Sequence, residues 1–436
     1  MKNQPNDFKM GKKVNFIVLA ALVLISLICS SPYTENGDMT AIDSGDTAWM
    51  LIASAFVLLM TPGLAFFYGG MVHKKSMIST MLQSFVALGV VSIVWVLVGF
   101  SLAFGESWHG IIGNPMTFFN FRNVGLAPNP DFAGTVPFLV FALFQLKFAI
   151  ITPALITGSF AERVRFRSYI LFMVLFTLFI YTPLAHMTWH PDGLLRNLGV
   201  LDFAGGTVVH MSAGFAALAG AVFLGKRKKI THDPANVPYI ILGTGLLWFG
   251  WFGFNAGSAL AANADAVIAF ANTNIASATA MITWMFYERF RNRKMSAVGA
   301  CIGAIVGLVA ITPAAGFVTI SQSIFIGFVA AITSNLAISW FSKTGIDDTL
   351  DVFPSHGVGG IVGMLLTAVF AKDVGLINGE TATFMWHIIA LIGVSIFTFA
   401  GSLALYKIVD LLLPIRVTAE QEERGLDASQ HGEEVS

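Results

Sequence analysis

The chain has 436 residues, of which 56% are hydrophobic and 11% charged, with a formal net charge of +0 and a mean hydropathy of +0.74. Soluble domains carry roughly 25% charge, and apolar stretches long enough to cross a bilayer as helices recur along this chain. That balance excludes a soluble enzyme, a nucleic-acid binder and a disordered scaffold.

The chain opens on Lys2, Lys9, Lys12 and Lys13, then a short apolar run over Val14–Ile28, then a polar stretch to Asp46. This pattern reads as a signal peptide over residues 1–30, although no Ala-x-Ala site follows; a retained first helix is the alternative. Residues 31–413 are expected to form a transmembrane domain, and 414–436 a cytoplasmic tail. Eleven spans are expected at about 47–71, 80–104, 134–160, 168–187, 203–224, 237–261, 266–287, 297–317, 321–341, 352–371 and 384–413. Their runs are apolar on every side, unlike the alternating strands of a membrane barrel. With the first span starting outside, the inner loops, last span and tail hold seventeen Lys and Arg, and the outer loops hold Arg122, Arg196 and Lys372. Positive charge collects inside, so the N-terminus is expected outside and the C-terminus in the cytoplasm of a cell membrane. Cys29 and Cys301 cannot build a disulfide framework or a cysteine metal site. No His-Glu-x-x-His, Gly-x-Ser-x-Gly or phosphate-binding glycine loop occurs, so neither enzyme chemistry nor a metal or cofactor is implied.

Ionisable groups inside spans are expensive in lipid and point to function. His210 lies in the fifth expected span and His356 in the tenth, each after an aspartate (Asp202, Asp351) and beside a Gly-Gly pair. Spans five and ten correspond if spans one to five and six to ten are repeats, and an odd-numbered repeat is inverted in the membrane. Transporters place their site at such a repeat interface. The alternative for each histidine is a hydrogen-bonding residue between helices. Phe144 and Phe148 stand one turn apart in the third span, Trp189 ends the fourth, and Trp251, Phe254 and Ser258 share the sixth. Aromatic faces attract cations, Trp best, so a Trp, a Phe and a hydroxyl at one mouth would receive a small cation. Belt and packing roles compete for these aromatics. Asp202 reads as a helix N-cap that also lends negative potential to a nearby cation. Lys147 is expected to face an interhelical partner rather than a pore, since it points about 100° away from Phe148 on the same helix.

From about Gly45 to Glu434 the chain resembles the ammonium transporter (Amt/Mep/Rh) family, on its Amt side. The likeness rests on Pro62-Gly-Leu-Ala-Phe-Phe-Tyr-Gly-Gly70, Phe148-Ala-Ile-Ile-Thr-Pro-Ala-Leu-Ile, Ala161-Glu-Arg-Val-Arg-Phe166 and Asp202-Phe-Ala-Gly-Gly-Thr-Val-Val-His210. Trp251-Phe-Gly-Phe-Asn-Ala-Gly-Ser258, Asp351-Val-Phe-Pro-Ser-His356-Gly and the tail from Glu423 to Glu433 complete it. The sequence departs from the family at His190-Pro-Asp192, where members often carry small residues.

The resemblance implies eleven helices in an inverted five-plus-five repeat around a central pore, assembled as a homotrimer in the lipid bilayer. It implies an outer ammonium site at Trp189, Phe148 and Ser258, with Phe144 and Trp251 in the same vestibule. It further implies a stacked phenyl gate at Phe148 and Phe254, paired pore histidines at His210 and His356, and an essential aspartate at Asp202. Ammonium or methylammonium would bind at the mouth and lose its proton behind the gate. It would then cross as ammonia, with the histidines supporting the proton and making uptake electrogenic. A PII-type nitrogen regulator at the cytoplasmic face is a further family expectation, against a plain solvated acidic tail. A membrane ammonium sensor and a passive Rh-type ammonia channel are the competing readings. Only about 22 residues follow the last span, which leaves a sensor no second domain.

Overall fold

The computed structural model describes residues 15–25, 37–228 and 233–435. Among these, ten helices are long and apolar enough to cross a membrane: Ser44–Met71, Lys74–Phe104, Phe138–Ser159, Phe166–Asn197, Gly206–Leu224, Val237–Ala259, Ala264–Phe290, Ile320–Phe341, Phe353–Phe370 and Thr381–Leu412. They fall on ten of the eleven expected spans. The remaining segment, expected at 297–317, is a fifteen-residue helix, Ala297–Ile311, that ends ahead of Pro313. At 1.5 Å per residue it rises only about 22 Å, and its residues from Cys301 to Ile311 are almost all buried between neighbouring helices.

The ends of these helices follow from their caps. Asp43 accepts from the Asp46 amide, Asn236 from Tyr239, Asn263 from Ala266 and Ser296 from Gly299. Thr319 and Gln322 form a reciprocal capping box. Each supplies an acceptor to amides that the first turn leaves without one. Large apolar side chains point outward, among them Val267, Phe286, Phe290, Ile396 and Leu411. A fold solvated by lipid has no reason to hide them. Among the described residues, strand is confined to two small antiparallel hairpins after the second span, Ser107–Trp108 with Ile112–Gly113 and Pro128–Asn129 with Ala133–Pro137.

Residues 15–25 form a short exposed helix. The rest of the expected signal peptide, Cys29 included, lies outside the described residues. Cys301 is a buried free thiol.

Spans five and ten begin in the same unusual way. Gly206–Met211 and Phe353–Gly357 are each a wide turn with bonds five residues apart, as in His210 N–H to Gly205 O at 3.1 Å. Such turns re-aim side chains inside a helix. Asp202 stands eight residues before His210, and Asp348 stands eight before His356. Asp202 accepts from the amides of Gly205, Gly206 and Thr207 at 2.8, 2.6 and 2.7 Å. Asp348 accepts from Val352 and Phe353 at 3.1 and 2.7 Å. The third residue after each aspartate, Gly205 and Asp351, has a positive φ of 118° and 53°. The sequence pairing of Asp351 with Asp202 is therefore corrected: Asp348 is the counterpart, because its carboxylate is the one that accepts from the amides at the start of the turn.

The two spans meet at Gly214 and Gly357. A Cβ on Gly214 would overlap the backbone of Gly357, so the glycines let the spans cross in direct backbone contact one turn beyond His210. Gly214→Ala should force them apart at a cost of about 1–3 kcal/mol, the usual penalty of overpacking. An unchanged melting temperature in detergent would contradict this crossing.

The tail is not wholly a solvated acidic end: Glu420, Glu423, Glu433 and Glu434 are exposed, but the stretch between them is docked. Leu426 and Asp427 are 0% and 1% exposed. Asp427 accepts from the Ile78 and Ser79 amides at 3.0 and 2.7 Å, satisfying the start of a helix. Arg165 N–H donates to Ile415 O, Val417 N–H to Arg163 O, and Phe166 N–H to the Gln430 amide oxygen. The tail is thereby held against the connections before spans two and four.

Candidate functional site

The fourth span carries Trp189 at the end of the helix Thr182–Trp189, and its indole N–H donates to Asp202 O at 3.1 Å. That bond fixes the indole to the start of the fifth span. A cavity of about 350 Å³ opens here, lined by Gln145, Phe148, Trp189, Asp202 and Ser258 among others. Phe148 meets Trp189 edge to face at 5.8 Å and Phe144 at 4.9 Å. The Ser258 hydroxyl spends its proton on Phe254 O at 2.9 Å. Its lone pairs are left as acceptors for an N–H in the cavity.

Beneath the cavity the Phe148 and Phe254 rings stack at 4.2 Å. Phe254 lies 6.0 Å from the His210 ring and 5.5 Å from Trp251, and Trp251 stacks on His210 at 5.3 Å. His210 and His356 face one another with ring centres 5.5 Å apart and their Nδ1 atoms at 3.4 Å. Both histidines are buried, at 1% and 3% exposure. Asp202 is buried too and accepts a fourth bond, from the Thr207 hydroxyl at 2.5 Å. It caps the turn that aims His210.

The structure thus brings together every residue proposed from sequence: Trp189, Phe148, Ser258, Phe144, Trp251, Phe254, His210, His356 and Asp202. Lys147 is the exception to its expectation. It is half-buried and finds no hydrogen-bond or ion-pair partner among the described residues. It shares the less-buried stripe of its helix with Val140 and Leu143.

Three contributors escaped the sequence reading. Asp348 had a usable signal, the shared spacing of eight to its histidine. Thr312, which touches both Trp251 and His210, had none. The third is an ion-pair network at the Asp348 end. The Arg163 guanidinium reaches Asp347 at 3.2 Å and Thr349 at 2.9 Å. Arg227 holds both Asp347 oxygens at 2.9 Å and Glu162 at 3.1 Å. Counted from sequence only as loop charges, Arg163 and Arg227 are buried and paired.

Close by, Asp351 is half-buried and makes no ion pair among the described residues. Burial first and the Asp348 charge second push its carboxyl up to about 8. A raised carboxyl stays protonated in the fold while the unfolded chain ionises, so stability falls as pH rises from about 4 to about 8 and levels above. Asparagine tolerates the positive φ of this position and has no proton to lose. The melting-temperature advantage of Asp351→Asn over the parent should therefore grow between pH 5 and pH 8. A difference that is constant with pH would contradict a raised carboxyl at this position.

A bundle of membrane helices with a cavity at one end and a line of stacked rings and two buried imidazoles beneath it defines a multi-pass membrane protein of the transporter kind. The family model of the Ammonium Transporter Family matches residues 48–436. The chain is 44% identical over 421 residues to an ammonium transporter of Aquifex aeolicus, covering 95% of this chain and 97% of that one. It is 46% identical over 400 residues to an ammonium transporter of Bacillus subtilis, covering 90% and 98%. Among solved structures it is similar to Saccharomyces cerevisiae Mep2, with a TM-score of 0.83 at 35% identity, covering 90% and 93%. A structure described as a sensor Amt protein matches with a TM-score of 0.83 at 31% identity, covering 89% and 98%. The chain belongs to the ammonium transporter family, a family of membrane transporters and not of enzymes.

Proposed function

We propose that this chain takes up ammonium electrogenically, binding the cation at Trp189, Phe148 and Ser258 and conducting ammonia past His210 and His356 while a proton crosses beside it. The observation that carries this reading is the unbroken file of rings. Trp189 to Phe148 is 5.8 Å, Phe148 to Phe254 4.2 Å, Phe254 to His210 6.0 Å, and His210 to His356 5.5 Å. Each ring has a task that its chemistry suits. Trp189 and Phe148 offer π faces to a cation, worth about 0.5–2 kcal/mol each according to desolvation. Ser258 accepts one ammonium N–H. The Phe148–Phe254 stack admits no hydration shell, and desolvation favours neutral ammonia over the charged form. Asp202 holds negative charge near the mouth and, by capping Gly205 to Thr207, keeps His210 on the pore line. The histidines offer nitrogens for the released proton.

On this reading the Asp202 end faces outward and the Asp348 end and tail face the cytoplasm of the cell membrane. Residues 1–30 are removed as a signal peptide, and the protomers assemble as a homotrimer. A PII-type regulator docks at the cytoplasmic face, near the docked tail. Ammonium pulses on proteoliposomes should give a current, methylammonium a smaller one and potassium none. Trp189→Leu should raise the half-saturating ammonium concentration about tenfold with less effect on maximal current, since it removes binding and not conduction. Equal currents with potassium would overturn recruitment by N–H and π contacts.

A further inference from the structure

Thr312 lies at the end of the short eighth helix and joins three groups. Its hydroxyl donates to Leu308 O at 2.8 Å. The Trp251 indole N–H donates to it at 2.9 Å. His210 Nε2 lies 3.3 Å away. We infer that Thr312 is a positioning residue that fixes the tautomer of His210 and, through it, the polarity of the histidine pair.

A hydroxyl has one proton and two lone pairs, and an indole nitrogen can only donate. With the proton on Leu308 O and one lone pair taken by Trp251, only an acceptor remains for His210. His210 Nε2 must then carry hydrogen. The two imidazoles are buried against each other, where charge on either would be costly, so each is neutral and carries one proton. His210 Nδ1 is therefore bare. It faces His356 Nδ1 at 3.4 Å, so the proton between them belongs to His356. That leaves His356 Nε2 bare.

The pair thus reads N–H at His210 Nε2, a proton on His356 Nδ1, and an open acceptor at His356 Nε2. This is the arrangement left after a proton joins His210 Nε2, the His210 Nδ1 proton moves to His356 Nδ1, and the His356 Nε2 proton leaves. Three protons move, two N–H bonds of the pair form and two break, and each ring ends neutral. Thr312 stabilises that end state, and the reverse arrangement requires its hydroxyl to turn from Leu308 O to His210 Nε2. The consequence for transport rests on the proposed relay, whereas the tautomer itself does not.

The test is nitrogen NMR of the full-length protein with ¹⁵N-labelled histidine rings in bilayers, with the His210 signals assigned by their loss in His210→Ala. The parent should show His210 in one form, with Nε2 protonated and Nδ1 bare, and His356 in the opposite form. Thr312→Val keeps the shape and removes the hydroxyl. It should relax the tautomer ratio about tenfold, as expected for losing a hydrogen bond of ordinary strength. Thr312→Ser restores the hydroxyl and should restore the parent spectrum. A parent His210 protonated at Nδ1, or a valine variant with the parent's ratio, would overturn the inference. Ammonium current in the same samples reads the relay separately. A changed tautomer with unchanged current would leave the Thr312 assignment standing and count against the relay.

Discussion

Replacing Asp202 by alanine is expected to abolish ammonium-driven current and to cost the fold about 3 kcal/mol. Hydrogen bonds to a charged group contribute about 1.5–3 kcal/mol when only one partner is lost, and Asp202 accepts four. The loss leaves the Gly205, Gly206 and Thr207 amides buried with no acceptor. It also frees the wide turn that aims His210. Asparagine should rescue little, because its amide nitrogen would face N–H groups where an oxygen is needed. A melting curve and a proteoliposome current on the same preparation check both parts. A variant that melts like the parent would show that the cap does not hold the turn.

The second large effect is expected far from the mouth. Asp347→Ala should destabilise the protein by about 3–5 kcal/mol, the range seen when one member of a buried pair is removed. Arg163 and Arg227 would keep their charge and lose their shared carboxylate. Burial alone would raise Asp347, but the Arg227 hydrogen bonds and the Arg163 charge hold it below the ordinary carboxylate value. A lowered carboxyl stabilises fully above its unfolded pKa and loses that contribution as pH falls through its folded value. The parent should therefore lose stability in acid faster than Asp347→Ala does. Because Asp347 joins residues 159–163 to 225–228, the variant should also expose the connections that hold the tail, read as faster proteolysis near Arg227. Resistance equal to the parent's would contradict this linkage.

The membrane class and span order were legible because each span must satisfy its own backbone in lipid, which leaves long apolar runs in the sequence. The span ends fell within a few residues of their caps, since Asp43, Asn236, Asn263 and Ser296 are all residues with a short side-chain oxygen. The eighth span was overdrawn because apolar residues continue past Ile311, whereas Pro313 stops the helix. The grouping of Trp189, Phe148, Phe254 and the histidines was legible through family motifs, and the matched positions of the histidines were legible without them. Asp351 was mistaken for Asp202's counterpart because nearness in sequence hid the reach needed to cap a wide turn. Thr312 and the Asp347 network were not legible. Their partners lie 61 to 186 residues away in sequence, and no periodicity reports such contacts. Docking of the tail was hidden for the same reason, since Asp427 meets Ser79 across 348 residues.

The proposed mechanism stands or falls on the histidine pair. The decisive experiment compares ammonium-driven current in proteoliposomes of the parent, His210→Ala and His356→Ala, with equal amounts of folded protein confirmed by melting. Electrogenic conduction through the pair predicts that either alanine abolishes the current, with any residual ammonia flux seen as a rise in internal pH and no charge movement. A current of parental size in either variant would contradict it.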